Sequence, residues 1–343
     1  MNVIALIIIS ALMSGCMFIP KYNRPVVPVF SGGPLEQTKA MDIGWHQFFL
    51  DPKLKNIIQL ALENNKDLRL AILNVEQVQT QYRIGQARGI PTINGTGTAE
   101  RKHLPSQDST EGSAKTSSHY SVGVGITSYE LDLFGRVRSL RKQALENYFA
   151  TQEARRNVQL MLVAQVATQY LTVVQLNEQL GLTKQTLESV EKYYGLINRS
   201  YELGNASALD LKTVESQVQS ALANAADYER QLAQAKNELA FLIAGPLPDQ
   251  FMSDQPLSSG DFLAYLPSGL PSDLLEHRPD ILEAEHVLKG ANANIGAARA
   301  AFFPKITLTG FAGESSLKLN DLFSGGLAWN YVPQITMPIF DGG

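Results

Sequence analysis

The sequence has a single cysteine, Cys16, in 343 residues, so it can form neither an internal disulfide nor a cysteine-built metal cluster. It also lacks a basic surplus. Charged residues make up 18 % and the formal net charge is −4, which leaves no electrostatic footprint for nucleic acid. Catalytic signatures are missing as well: His46, His103, His119, His277 and His286 never fall at metal-binding spacing, and no HExxH, P-loop or GxSxG elbow is present. Gly123-Val124-Gly125 starts like a dinucleotide loop but sits inside an alternating strand pattern, where such a loop cannot work. No enzymatic chemistry, metal or cofactor is expected.

A long apolar run is absent near the N-terminus. Val3 to Leu12 is far short of the ~20 residues needed to span a bilayer. Small residues Ser14 and Gly15 follow it and lead directly to Cys16, so residues 1–15 read as an export signal. Small residues before a cysteine resemble the lipobox of bacterial lipoproteins, which implies that Cys16 becomes the lipid-carrying first residue. The alternative is a buried free cysteine, the usual fate of a lone Cys in a soluble protein.

Proline is missing between residues 106 and 245, although the chain has sixteen. Since proline breaks a helix interior at ~3 kcal/mol, a window this long without one is permissive for very long helices. The apolar spacing predicts them. One register runs Leu162, Val166, Val173, Leu176, Leu180, Leu187, Val190, Tyr194, Ile197, Tyr201, and a second runs Leu211, Val214, Val218, Ala221, Ala225, Tyr228, Leu232, Ala235, Leu239, Leu242. Between them, Leu203-Gly204-Asn205-Ala206-Ser207 reads as a tight turn, with Gly204 suited to a left-handed helix end and Ser207 and Asp210 spaced as a capping box. The arms of this hairpin would reach on the order of 100 Å and 55 Å at 1.5 Å per residue. A coiled-coil stalk and the wall of a tube account for this segment equally well.

Two stretches alternate with a period of two. Leu327, Trp329, Tyr331, Pro333, Ile335 and Met337 occupy one face, and so do Tyr120, Val122, Val124 and Ile126. Tyr129, Leu131 and Leu133 continue after a one-residue change of phase that predicts a bulge. Segments of about ten residues with an oily face and aromatics near their ends suit transmembrane barrel strands, with these residues facing lipid. A half-buried strand of a soluble sandwich gives the same alternation. Export and the long helices tip the choice to a membrane.

The chain repeats itself. Asp67, Ala71, Ala87, Pro91, Ile93, Thr96 and Gly97 recur as Asp280, Ala284, Ala300, Pro304, Ile306, Thr309 and Gly310, at a constant offset of 213 positions. Each copy reads helix, proline, strand, polar loop, second strand. Arg278-Pro279-Asp280 starts the helix of the second copy, with Pro in the first turn and Asp at the positive end of the helix dipole. The second copy stops at Gly343, where a matching hairpin would begin; with Arg136 to Ile243 as template, a continuation of about a hundred residues is expected. The expected segments are a signal peptide (1–15), an extended lipid-anchored stretch (16–50), the first repeat (51–245), a linker (246–272) and the second repeat (273–343). Four strands are too few to close a membrane barrel, for which about eight is the minimum, so several chains must share one.

Several motifs together resemble the outer membrane factor family of TolC-like ducts, in particular its lipoprotein branch. They are Pro20-Lys21-Tyr22-Asn23-Arg24-Pro25, Trp45 with Phe48-Phe49-Leu50-Asp51-Pro52, Asn65-Lys66-Asp67-Leu68, Leu131-Asp132-Leu133-Phe134-Gly135, Gly269-Leu270-Pro271-Ser272-Asp273-Leu274-Leu275 with Arg278-Pro279-Asp280-Ile281, and Pro338-Ile339-Phe340-Asp341-Gly342-Gly343. The resemblance implies a mixed α and β membrane protein in which long antiparallel helical hairpins form a periplasmic α-barrel. Four transmembrane β-strands per protomer would join one shared trimeric β-barrel in the bacterial outer membrane. It further implies a homotrimer that docks a periplasmic adaptor at the hairpin tip (Leu203, Gly204, Asn205, Ser207) and through it an inner-membrane pump of the resistance-nodulation-division type. The expected function is passive export of drugs, metals or other small solutes. The other readings are the exit duct of a type I secretion system and, from a different class, a lipid-anchored coiled-coil scaffold without a pore.

Overall fold

The computed structural model describes residues 17–24, 43–105, 115–248 and 273–340. The expected signal peptide, Cys16 and most of the expected linker lie outside the described residues. In chain order come α1 (Trp45–Phe48), α2 (Pro52–Asn64), α3 (Lys66–Ala87), β1 (Ile93–Leu104), β2 (Lys115–Leu131), α4 (Arg136–Glu202), α5 (Ala208–Leu242), α6 (Asp273–Glu276), α7 (Pro279–Ala300), β3 (Lys305–Ser316) and β4 (Leu327–Thr336). The internal repeat is visible in the element bounds: α3 and α7 are both 22 residues long, and β1 and β3 both 12.

The chain divides into two compact units that follow space rather than sequence. One gathers the described parts of 1–25, 76–151 and 283–343, and the other those of 26–75 and 152–282. The second unit is helical. Its core joins Leu54, Ile57, Ile58 and Ala61 of α2 to Leu162, Val163, Val166, Ala167 and Tyr170 of α4 and to Leu232, Ala235 and Leu239 of α5. Leu162, Val166 and Val173 are buried as the heptads require, and so are Val214, Ala221, Ala225, Leu232, Ala235 and Leu239. Alanines on the α5 seam let the two backbones approach closely. Toward the turn the seam of α4 opens, and Tyr201 is exposed.

Asp51 and Asn65 lock this core in place. The Asp51 carboxylate accepts from the amide of Lys53, capping α2, and from the Tyr170 hydroxyl at 2.7 Å while buried. Asn65 caps α3 by accepting from the Leu68 amide and donates to the Leu242 carbonyl at 2.9 Å, tying the end of α5 to the start of α3.

In the first unit the strands form one antiparallel sheet in the order β1-β2-β3-β4. β2 and β3 pair although α4 and α5 lie between them in sequence. Both outer strands have one unpaired edge within the described sheet.

Candidate membrane face, junction and hairpin tip

The pairing register decides which side chains share a face. Tyr120, Val122, Val124 and Ile126 of β2 lie opposite Ser316, Glu314, Ala312 and Gly310 of β3, and the last three of these lie opposite Leu327, Trp329 and Tyr331 of β4. The expected oily residues of the two repeats therefore fall on one continuous face. Register slips between Ile126 and Tyr129, where Ser128 takes a positive φ of 52°, and this bulge returns Tyr129 and Leu131 to the same side. Leu327, Trp329, Tyr331 and Ile335 are exposed in the chain, and Met337 just beyond β4 is too. The opposite face carries Asn94, Thr96, Thr98, Ser121, Thr307, Thr309, Asn330 and Gln334, which the register places side by side. One face oily and one face polar is what a strand between lipid and water requires. The division is not complete: Phe311 and Val332 lie on the polar face, Arg101 and His103 lie on the oily side near the end of β1, and Glu314 sits on the oily face between Val122 and Leu327, two residues from the end of β3. Near a bilayer interface such a carboxylate costs only ~0–1 kcal/mol.

Below the sheet, β2 turns into α4 through Asp132 to Gly135. Both Asp132 oxygens accept from the first helix amides, Val137 at 3.1 Å and Arg138 at 2.8 Å, and Asp132 also pairs with the Arg138 side chain at 3.2 Å. Arg136 grips Glu130 through two nitrogens, and Lys305 at the start of β3 approaches the same carboxylate at 3.5 Å. These bonds fix the angle at which helix leaves sheet. The sequence motif around Asp132 was visible, but its capping role was not, because the cap lies five residues upstream of the amides it serves.

Residues 17–24 lie along α7 as a strap. Phe18 stacks on Phe303 with centroids 4.7 Å apart, and Phe303 stacks in turn on Phe134 at 4.9 Å. The Asn292 amide donates to the Pro20 carbonyl at 2.8 Å, Arg24 pairs with Glu285 at 3.2 Å, and Lys289 lies 5.5 Å over the Tyr22 ring. Gly296 makes room: a Cβ there would meet Ile19 Cγ1 at 2.6 Å. Beside it, Glu146 of α4 is almost fully buried between Lys142 at 2.5 Å and His286 of α7 at 2.7 Å. Burial alone would push the Glu146 carboxyl up, but the hydrogen bonds and charges of Lys142 and His286 together hold it below the ordinary range. Nothing in the sequence marked His286 for this role, since its partner is 140 residues away.

Within the second unit, α4 stops at Glu202 and α5 starts at Ala208. Gly204 adopts φ +77° with open space around it, and the Asn205 amide reaches back to the Ser200 carbonyl at 2.8 Å. Ser207 and Asp210 form a complete capping box, with Ser207 Oγ accepting from the Asp210 amide and Asp210 accepting from the Ser207 amide. The Ser207 hydroxyl also donates to the Asp210 carboxylate at 2.6 Å, and this bond, together with the one from the Ser207 amide, lowers the Asp210 carboxyl below its usual range. Leu203 is exposed at the tip. Arg278, Pro279 and Asp280 are elsewhere: α7 opens on Pro279, and the exposed Arg278 guanidinium embraces Asp280 at 3.0 and 2.7 Å.

Residues 57–245 and 270–343 match the family model described as outer membrane efflux protein. A toluene efflux pump outer membrane protein, TtgC of Pseudomonas putida, is 44 % identical over 352 residues, covering 100 % of this chain and 72 % of the relative. A membrane protein of solved structure from Pseudomonas aeruginosa superposes with a TM-score of 0.90 at 40 % identity, covering 96 % of this chain and 75 % of the other. The open state of the MtrE outer membrane channel of Neisseria gonorrhoeae gives 0.84 at 40 % identity, covering 96 % and 74 %.

Proposed function

The chain belongs to the outer membrane efflux protein family and is the outer-membrane component of an efflux pump, and on that premise we propose that it works as a passive, trimeric duct. The observation that carries the reading is the two-faced sheet with open edges. In lipid every backbone donor and acceptor needs a partner, so a four-stranded sheet can sit in a membrane only if other strands complete it. Three copies contribute four strands each, a number sufficient for closure with a water-filled lumen lined by the polar face. Apolar residues left exposed on the helices, among them Leu70 and Leu73 of α3, Leu160 of α4 and Leu288 of α7, suit contacts between copies.

Solute is handed to the duct from an inner-membrane pump of the resistance-nodulation-division type through a periplasmic adaptor, and the duct itself carries out no chemistry. Its cargo is small solutes; the relative named for toluene efflux makes small organic molecules the first class to assay. The adaptor docks at the α4–α5 turn around Leu203, Gly204, Asn205 and Ser207, where the tip is capped internally and presents an exposed leucine. Cys16 carries a covalent lipid that holds residues 17–24 at the membrane.

Two substitutions separate these parts. Gly204→Trp places a bulky side chain in open space at a left-handed position; it should abolish adaptor cross-linking and export while leaving oligomer assembly intact, and unimpaired export would remove the tip from the docking surface. Incorporation of radioactive fatty acid should vanish in Cys16→Ser. Labelling at the wild-type level would refute the anchor.

A further inference from the structure

A groove of 710 Å³ opens where the oily face of the sheet meets the first turns of α4. Its upper wall is Tyr129, Leu131 and Tyr331, all on the oily face, and its lower wall includes Arg138 and Arg141. The two carboxylates that line it are already spoken for. Glu130 is held by Arg136 and Lys305, and Asp132 by the α4 amides and Arg138. Arg141, one turn further along α4, is exposed and has no ion-pair partner among the described residues. The same two arginines also border a second hollow of 330 Å³ lined by Met17, Tyr82 and Lys142 among others, and Met17 adjoins Cys16 in the chain.

We propose that this groove binds a phospholipid of the leaflet facing the helices, its phosphate on Arg141 and Arg138 and its acyl chains along Tyr129, Leu131 and Tyr331. The inference rests on the reading of β1 to β4 as membrane strands. Three independent features converge on a lipid. Tyrosines are the residues that settle at the headgroup level, with ring in the oil and hydroxyl at the water. Guanidinium is the side chain whose fork matches phosphate oxygens, and an arginine left without a carboxylate has that valence free. The groove is also continuous from apolar to cationic in the direction that a bilayer runs from acyl chain to headgroup, and basic pockets at that depth hold anionic headgroups in other membrane proteins. A free phosphate would use the arginines alone and leave the apolar wall without a role.

The test is native mass spectrometry of the delipidated oligomer in detergent, with dioleoyl phosphatidylglycerol as probe. Wild type should retain bound lipid; Arg141→Gln should weaken it about fivefold, the weight of one cationic side chain at a membrane surface. Tyr331→Ala should also weaken it, whereas millimolar inorganic phosphate should not displace it. Equal binding by Arg141→Gln, equal binding of uncharged dioleoylglycerol, or full displacement by inorganic phosphate would each overturn the lipid site. Arg141 makes no ion pair among the described residues, so its replacement by Gln leaves no carboxylate among them without its partner. The same preparation is inserted into planar bilayers: steady conductance with unchanged lipid binding sinks the groove alone, and failure to insert sinks the membrane reading with it.

Discussion

At the residue scale, the tightest constraint in the sheet is at glycines that the alternation pattern treats as mere gaps. Gly123 and Gly313 face each other across β2 and β3, and a Cβ on Gly313 would collide with the Val122 carbonyl and the Gly123 Cα. Gly125 is nearly as confined, with the Gly310 carbonyl 2.7 Å from where its Cβ would sit. These positions belong to the polar face, so the strands press together on the side assigned to the lumen. Backbone atoms cannot give way as a flexible side chain does. Gly313→Val should therefore cost about 1–3 kcal/mol and lower the yield of oligomer extracted from outer membranes in detergent. Gly95→Ala, where nothing lies within 4 Å of the added carbon, should behave as wild type. Equal behaviour of the two variants would mean that the sheet is not packed this closely.

At the element scale, the pH response of the α4–α7 clasp follows from the sign of one shift. The buried Glu146 carboxyl is held below its ordinary value of 4.5 by Lys142 and His286, so its contribution is present above that value and is lost as pH falls through the lower, folded one. Glu146→Gln should melt below wild type at pH 7, and the gap should close as the pH is brought below about 4.5; a gap of constant width would show that the carboxylate charge carries none of the clasp. The helices that this clasp joins were largely legible in the sequence. Heptad spacing from Leu162 to Tyr201, in a window without proline, points to a first arm from about Arg136 to Leu203 against an observed end at Glu202, and the turn follows from Gly204 and the Ser207–Asp210 spacing. Period-two alternation gave β2 and β4, including the bulge before Tyr129. Local periodicity is written in neighbouring residues, which is why it could be read. The clasp, the strap of residues 17–24 on α7 and the Asn65 bridge to Leu242 join positions 140 or more apart, and no spacing rule records them.

At the scale of the whole molecule, the two repeats explain both what the chain builds and what it leaves open. Each contributes a 22-residue helix and two strands, and the strands of both meet in one sheet through β2 and β3. The register then gathers Val122, Val124, Trp329 and Tyr331 on one side, and all but the half-buried Val122 are exposed. Lipid covers that surface in this account, and neighbouring copies satisfy the free edges of β1 and β4. The α-helices themselves give no membrane span: among the described residues none is long and apolar enough to cross a bilayer. The central claim is thus that one chain cannot seal its own sheet. It is tested most directly by the mass of the particle that conducts when outer membranes are extracted with detergent and the fraction is inserted into planar bilayers. The account predicts that conductance travels with a particle of three copies. A water-soluble single copy, with Leu327 to Ile335 shielded inside it and no conductance, would contradict it.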